Sequence, residues 1–293
     1  MSDMLEAKVL GKKISHPMKY DPSVLVAIPR SYNRTIYDID EAALPFCGMD
    51  AWHAYEVSFL TEKGVPVVGV LKMVVPADSP CLVESKSLKL YLNSFNMSSF
   101  GATRKEGLEE VTSLIKKDIS SLLSVDVEVM FHTKDRFNAF PFKSYERVED
   151  MVDLDSLVIT DYTENKDLLE VVTTSRRTES EWKTDLLRSN CKVTFQPDWG
   201  SVYLYIEGTQ HLAPESFLKY VVSLRNENHF HEEICELLYV RLKALLNPDK
   251  LMVGCVYTRR GGIDICPFRA SHKELLPASY MSASKLVEKN MRQ

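Results

Sequence analysis

Trp52 to Leu60 alternates apolar and polar positions with the two-residue period of a half-buried strand, and Val65 to Val75 continues in kind after Glu62-Lys63-Gly64. The two runs are predicted to form a hairpin. Beyond Pro76 and Pro80 the period lengthens: Leu88, Tyr91, Leu92 and Phe95 fall at i, i+3, i+4 and i+7, the spacing of an amphipathic helix that opens at Glu84 or Ser85. A second helix is predicted from Arg104 to Leu123, with Thr103 and Glu106 spaced as a capping box and Leu108, Val111, Ile115 and Leu122 turned inward. Val125, Val127, Val129 and Phe131 then alternate as a strand.

The same order of elements returns later. Val193 to Phe195 and Ser201 to Ile206 are predicted strands, with the chain reversing between Pro197 and Gly200. Pro214 to Leu224 is a short helix with Phe217, Val221 and Leu224 inward, and Phe230 to Leu246 a longer one. Met252 to Tyr257 is a strand that Arg259-Arg260-Gly261-Gly262 turns into Ile263 to Ile265. Glu84-Ser with Leu88-Lys-Leu-Tyr is echoed by Glu215-Ser with Leu218-Lys-Tyr, so a diverged tandem duplication of one antiparallel α+β unit is predicted. Residues 1–45, with Pro17, Pro22, Pro29 and Pro45, read as an arm to which no chemistry is assigned. The expected organisation is that arm, a first module over 46–145, a connection over 146–180 that includes the acid-rich Asp150 to Glu170, and a second module over 181–293.

Composition narrows the classes. Hydrophobic residues make up 45% and charged residues 26% of the 293, the balance of a soluble globular protein. A net charge of −5 argues against a general nucleic-acid binder, though a nucleotide-sized ligand remains open. No apolar run reaches the roughly 20 residues of a membrane span, and Met1 to Lys13 has no apolar core, so a cytoplasmic location is expected. Cys47, Cys81, Cys191, Cys235, Cys255 and Cys266 show no CxxC spacing, so free thiols are expected.

Ser189 to Gly200 holds a thiol, Cys191, and a carboxylate, Asp198: a candidate nucleophile and proton donor. Fully extended, seven residues at about 3.3 Å each would hold the two roughly 23 Å apart, so they share a substrate only if the chain doubles back or a second subunit intervenes. The plainer alternative makes Cys191 a small buried hydrophobe and Asp198 a turn former. Three further polar clusters sit at element ends. Glu84-Ser85-Lys86 opens a helix, where backbone N–H groups and the dipole favour a phosphate, unless Ser85 is simply the cap. His229-Phe230-His231-Glu232-Glu233 offers a carboxylate to the paired donors of a guanine-like ring, or with Cys235 a metal site, or only an acidic first turn. Arg259-Arg260-Gly261-Gly262 pairs guanidiniums with close backbone approach, suited to phosphate or to nothing more than a surface loop.

These stretches resemble the bimodular 7-cyano-7-deazaguanine reductases, the nitrile reductases of queuosine biosynthesis (QueF). The likeness rests on Leu82 to Asn96, Ser189 to Val202, Phe230-His-Glu232 and Tyr257 to Ile265, in the family's order over most of Asp50 to Arg269. It implies two tandem tunnelling-fold modules, each an antiparallel sheet with helices packed on one face, assembled as a homodimer. It implies NADPH as the cofactor and a deazapurine as the substrate, with no direct part for nucleic acid or membrane. By the resemblance, Cys191 is the nucleophile that forms a thioimide and Asp198 the proton donor. Ser85, Lys86, Arg260 and Gly261 then match NADPH contacts, and Val83, Glu84, Ser85, His231 and Glu232 surround the deazaguanine. Phe230 and Trp199 are expected as walls against water, and Glu84 and Cys191 are expected to meet at one site. Cys266 stands where the family usually has Asn, which puts a hydrogen bond near the Arg-Gly turn in question. Two other readings stay open: a zinc-dependent purine hydrolase similar to the GTP cyclohydrolases, with His229, His231 and Cys235 as ligands, and a non-catalytic purine-binding module.

Overall fold

The structure, a computed structural model, describes residues 17–293. Its first half contains β1 (Ala27–Pro29), α1 (Ser31–Arg34), β2 (Cys47–Leu60), β3 (Pro66–Pro76), β4 (Cys81–Val83), α2 (Ser85–Asn93), α3 (Arg104–Leu123), β5 (Glu128–His132), β6 (Phe137–Asn138) and β7 (Glu146–Arg147). The second contains β8 (Val171–Cys191), β9 (Pro197–Leu212), α4 (Pro214–Ser223), β10 (Asn228–His229), α5 (His231–Leu246), β11 (Lys250–Tyr257), β12 (Ile263–Ala270), α6 (Ala278–Met281) and β13 (Leu286–Val287).

Nine strands form one sheet in the order β10-β8-β9-β11-β12-β2-β3-β5, with β7 beside β8. The long ladders are antiparallel, and the short β10 and β7 run parallel to β8. The fold is thus α+β with a mainly antiparallel sheet. The two halves meet within the sheet, where β12 pairs β2 from Ile263 opposite Ala54 to Ala270 opposite Cys47.

Strand alternation sends successive side chains to opposite faces. On one face Trp52, Ala54, Leu71 and Met73 pack under Leu88 and Leu92 of α2 and Val111 and Ile115 of α3. In the second half Leu204, Ile206 and Val253 pack under Phe217 and Val221 of α4 and Leu238 and Leu242 of α5. The opposite face, with Ala51, Tyr203, Met252 and Phe268, is covered by Phe142, Leu276, Tyr280 and Val287. Each fully buried branched or aromatic side chain contributes on the order of 1.5–3 kcal/mol, which is what holds helices of modest intrinsic propensity on the sheet. Helix α3 begins where its capping box places it, with Thr103 and Glu106 exchanging both side-chain-to-backbone bonds. Its buried stripe is Gly107, Val111, Ile115, Ile119 and Leu123, and Leu108 and Leu122 flank it half-buried.

Two expectations fail. Val193 to Phe195 is not a strand: Lys192–Thr194 form a turn, the Cys191 amide donates to the Gln196 carbonyl at 2.8 Å, and Phe195 adopts a φ of 57°. The reversal lies there, and Pro197–Gly200 already belongs to β9. A long strand also precedes that turn, where none was expected. Beginning at Val171, β8 runs through the anticipated 180/181 boundary between connection and second module.

Candidate active site

The turn after β8 solves the distance problem between the thiol and the carboxylate. Ser189 pairs with Asp198 and Asn190 with Pro197 across the β8–β9 ladder, so Cys191 leaves one strand as Asp198 enters the next. Three contacts fix the loop between them. Arg260 donates through Nη2 to Thr194 Oγ1 at 3.0 Å and to Gln196 Oε1 at 2.8 Å, and Lys192 Nζ lies 3.0 Å from Glu233 Oε1 on α5.

Both residues open onto a cavity of about 320 Å³ at the seam between the halves. Val83, Glu84, Ser85 and Lys86 enter it from the β4–α2 junction, His231 and Glu232 from the first turn of α5, and Arg260 and Gly261 from the β11–β12 turn. All ten residues assigned to the site by resemblance therefore line one space within a single chain. Glu84 and Cys191, from opposite halves, share it as expected. Cys191 is half-buried and is the one thiol lining this cavity among the described residues.

Electrostatics distinguish the acids. Burial pushes the Asp198 carboxyl up, but the hydrogen bond and charge of His231 and the Arg260 guanidinium outweigh it and hold the group below its ordinary value. Asp198 is thus an ion, paired with Arg260 and 3.4 Å from His231 Nε2. The His231 ring stacks on Tyr257 at 3.8 Å between centroids, which fixes the plane in which Nε2 addresses the carboxylate. Glu232 differs: burial first, then the Asp50 charge, push it up to about 8, against the opposing pull of Arg30 and Arg269. Its Oε1 is buried without a hydrogen-bond partner among the described residues.

Glu84 overturns the reading of the helix start. Its own carboxylate caps α2, accepting from the Lys86 amide at 3.0 Å and the Ser87 amide at 2.7 Å, so those N–H groups are already taken. Ser85 is not the cap. Lys86, Lys89 and Arg260 line the cavity with Gly261, whose φ of 58° leaves open backbone where a Cβ would stand 3.2 Å from Lys89 Nζ. That cradle of cations around bare backbone fits the phosphates of a dinucleotide.

The zinc arrangement does not form. His229 bonds Glu233 through Nδ1 and Tyr37 through Nε2, His231 stacks on Tyr257, and Cys235 Sγ points to the Val253 and Pro267 carbonyls. His53, Asp264 and Cys266 do cluster, but Lys289 Nζ sits 3.0 Å from Asp264 Oδ2 and supplies the positive charge there. Cys266 is buried, 3.7 Å from Asp264 Oδ1, in the core that backs the sheet away from the helices.

Comparison with known proteins bears on the same segments. A family profile described as "Nitrile reductase, 7-cyano-7-deazaguanine-reductase N-term" matches residues 16–131, and one described as "QueF-like protein" matches 197–275. A protein of Chromohalobacter salexigens named NADPH-dependent 7-cyano-7-deazaguanine reductase is 42% identical over 277 residues, 93% of this chain and 95% of that one. The chain belongs to the 7-cyano-7-deazaguanine reductase (QueF) family. Reductases of the same name from Rickettsia felis and Burkholderia vietnamiensis are 40% and 38% identical, over 92% and 95% of this chain and 94% and 98% of theirs. The crystal structure of the archaeosine synthase QueF-Like in the apo form overlaps 34% of this chain and 91% of that one at 24% identity, with a TM-score of 0.27, too low to bear on the fold.

Several lining residues of this QueF-family cavity escape a reading of the sequence: Trp52, Lys89, Thr194, Gln196, Ile263 and Ile265. Lys89 follows Lys86 by one helical turn, a spacing that was visible but carried no motif. Phe230 lines the cavity as expected; Trp199 instead turns to Arg225 and Arg292, with guanidinium-to-ring distances of 5.3 and 5.9 Å.

Proposed function

We propose that this chain, like relatives named NADPH-dependent 7-cyano-7-deazaguanine reductases, acts on 7-cyano-7-deazaguanine with NADPH, and that it reduces the nitrile to the aminomethyl group within queuosine biosynthesis. The observation that carries the reading is the convergence, in one chain, of the thiol of Cys191 with Glu84 and Glu232 in a cavity rimmed by Lys86 and Arg260. Glu232 and Glu84 hold the ring. Cys191 then gives its proton to the ionised Asp198, its sulfur bonds to the nitrile carbon, and Asp198 passes that proton to the nitrile nitrogen, forming a thioimide. NADPH, when bound, supplies hydride, once to the thioimide carbon and once more to the imine that follows. Between the two, the C–S bond breaks with its electron pair returning to Cys191. The second proton on nitrogen passes through Asp198 and His231 from solvent, the Cys191 thiolate takes one back from solvent, and Phe230 screens the imine from hydrolysis. Lys86, Lys89, Arg260 and Gly261 hold the cofactor's phosphates.

The repeated order of two strands, two helices and a strand supports two tandem tunnelling-fold modules, 46–145 and a second that takes in all of β8 and so starts at Val171 rather than 181. The family likeness extends this to a cytoplasmic homodimer, which light scattering tests. The chemistry is tested by intact mass after incubation with the nitrile alone. A covalent adduct on the wild-type protein that Cys191→Ala lacks is expected, together with loss of NADPH oxidation. Nitrile reduction by Cys191→Ala would overturn the thioimide.

A further inference from the structure

The arm to which the sequence assigned no chemistry delivers two arginines to the back of the cavity. Arg30 Nη2 lies 2.5 Å from Asp50 Oδ2 and its Nη1 3.6 Å from Glu236 Oε1. Arg34 grips both oxygens of Glu236, at 2.8 and 3.0 Å. Arg269 on β12 bridges Asp50 at 2.8 Å and Glu236 at 2.9 Å. Arm, first half (Asp50 on β2) and second half (Glu236 on α5, Arg269) are thus locked into one buried ion cluster. Three guanidiniums face two buried carboxylates, since the remaining partner, Glu41 beside Arg34, is 43% exposed and lies toward solvent.

Glu232 precedes Glu236 by one turn of α5, so the two side chains project from one face of the helix. Only 3% exposed, with Oε1 unpartnered among the described residues, Glu232 lines the cavity in front of the cluster. Behind it stand Asp50 of β2, Arg30 of the arm, Arg269 of β12 and Glu236 of its own helix. In front, the cavity brings Glu84, Lys86, Cys191, Asp198, His231 and Arg260. A buried carboxylate with one oxygen left without a donor is costly as an ion, even though a backbone N–H reaches the group, and a ring offering paired N–H groups lowers that cost while favouring the ionised form.

We propose that Arg30 is a positioning residue for Glu232: with Arg269 it supplies the counter-charge that lets Glu232 meet a guanine-type ring as a carboxylate, so that ring binding expels a proton. The inference rests on the deazaguanine reading of the cavity. Arg30 acts by neutralising Asp50, the anion nearest in effect to Glu232, and is itself held by the Ser79 hydroxyl at 3.1 Å and by its backbone bond to Pro80. A proton held by Glu232 before the ring arrives agrees with the upward push from burial and Asp50.

The test is calorimetric titration of the full wild-type chain with 7-deazaguanine, which lacks the nitrile and cannot react with Cys191, in buffers of different ionisation enthalpy at neutral pH. The heat is expected to depend on buffer in proportion to about one proton released per ring bound. Arg30→Gln is expected to weaken binding about tenfold, one pKa unit's worth, and to move the pH at which affinity levels off upward. Asp50→Asn is expected to move it downward. A structural role alone would weaken both variants without opposite shifts. Heat independent of buffer in the wild type, or both variants shifting the same way, overturns the proposal. Absence of any ring binding overturns the deazaguanine reading with it. Should Arg30→Gln not fold, the wild-type buffer dependence and the direction of the Asp50→Asn shift still decide.

Discussion

Arg260 and Asp198 form an ion pair across 62 residues of sequence, and the same guanidinium clasps Thr194 and Gln196 in the turn after Cys191. The turn after Cys191, Asp198 and the β11–β12 turn are therefore one mechanical unit. With Arg260 held to that turn, the ionised form of Asp198 is favoured by Arg260 and His231 together.

Asp198→Asn keeps the shape of the side chain and removes its ability to carry the thiol's proton. Turnover, followed as NADPH oxidation at saturating nitrile, is expected to fall by about 10²–10⁴, the usual worth of general acid–base catalysis. Binding of 7-deazaguanine is expected to persist, because Glu84 and Glu232 are untouched. A variant within a few-fold of wild-type turnover would remove Asp198 from the chemistry.

Gly261 takes its φ of 58° on the left-handed side, where a side chain costs roughly 1–2 kcal/mol, and a Cβ there would press on Lys89 Nζ. Gly261→Val is expected to lower affinity for NADP⁺ about tenfold or more in equilibrium dialysis. Adduct formation between Cys191 and the nitrile, measured without cofactor, is expected to be unchanged. Loss of both would place Gly261 in the fold rather than in the cradle.

Lys72, on the back of the sheet, gives its ammonium to the carbonyls of Ser279 and Lys285, each at 2.7 Å, and so ties down the C-terminal segment. Burial first, then the Lys289 charge, push its pKa down to about 7. The folded state thus binds fewer protons than the unfolded chain between that value and the ordinary lysine value of about 10.4. Stability from this group is complete above the upper limit and is lost as pH falls to about 7, at up to about 1.4 kcal/mol per unit. Denaturant titrations across this window are expected to show the rise with pH in the wild type and its absence in Lys72→Met.

Legibility in the sequence followed how local each cause was. The box of Thr103 and Glu106 lies within four residues and announced α3 to the residue; the period of Leu88, Tyr91, Leu92 and Phe95 did nearly as well for α2. The outer part of β8, Val171 to Glu179, is almost wholly exposed, so no apolar alternation marks it and it passed for connection. Val193 and Phe195 misled for the opposite reason: one lines the cavity and the other is 69% exposed, so their spacing reflects a turn rather than a buried face. Motif resemblance named the residues of the site but not their arrangement. Capping by Glu84 was hidden because any of three adjacent polar residues could have served. The arginines of the arm were hidden because Arg34 finds Glu236 only 202 positions away.

The ladder between β12 and β2 sets the terms on which the two halves meet. Because it is a run of main-chain bonds inside one polypeptide, the effective concentration of each wall of the cavity for the other is fixed by covalent connection. Dilution cannot part the thiol-bearing wall from the one that carries Glu84.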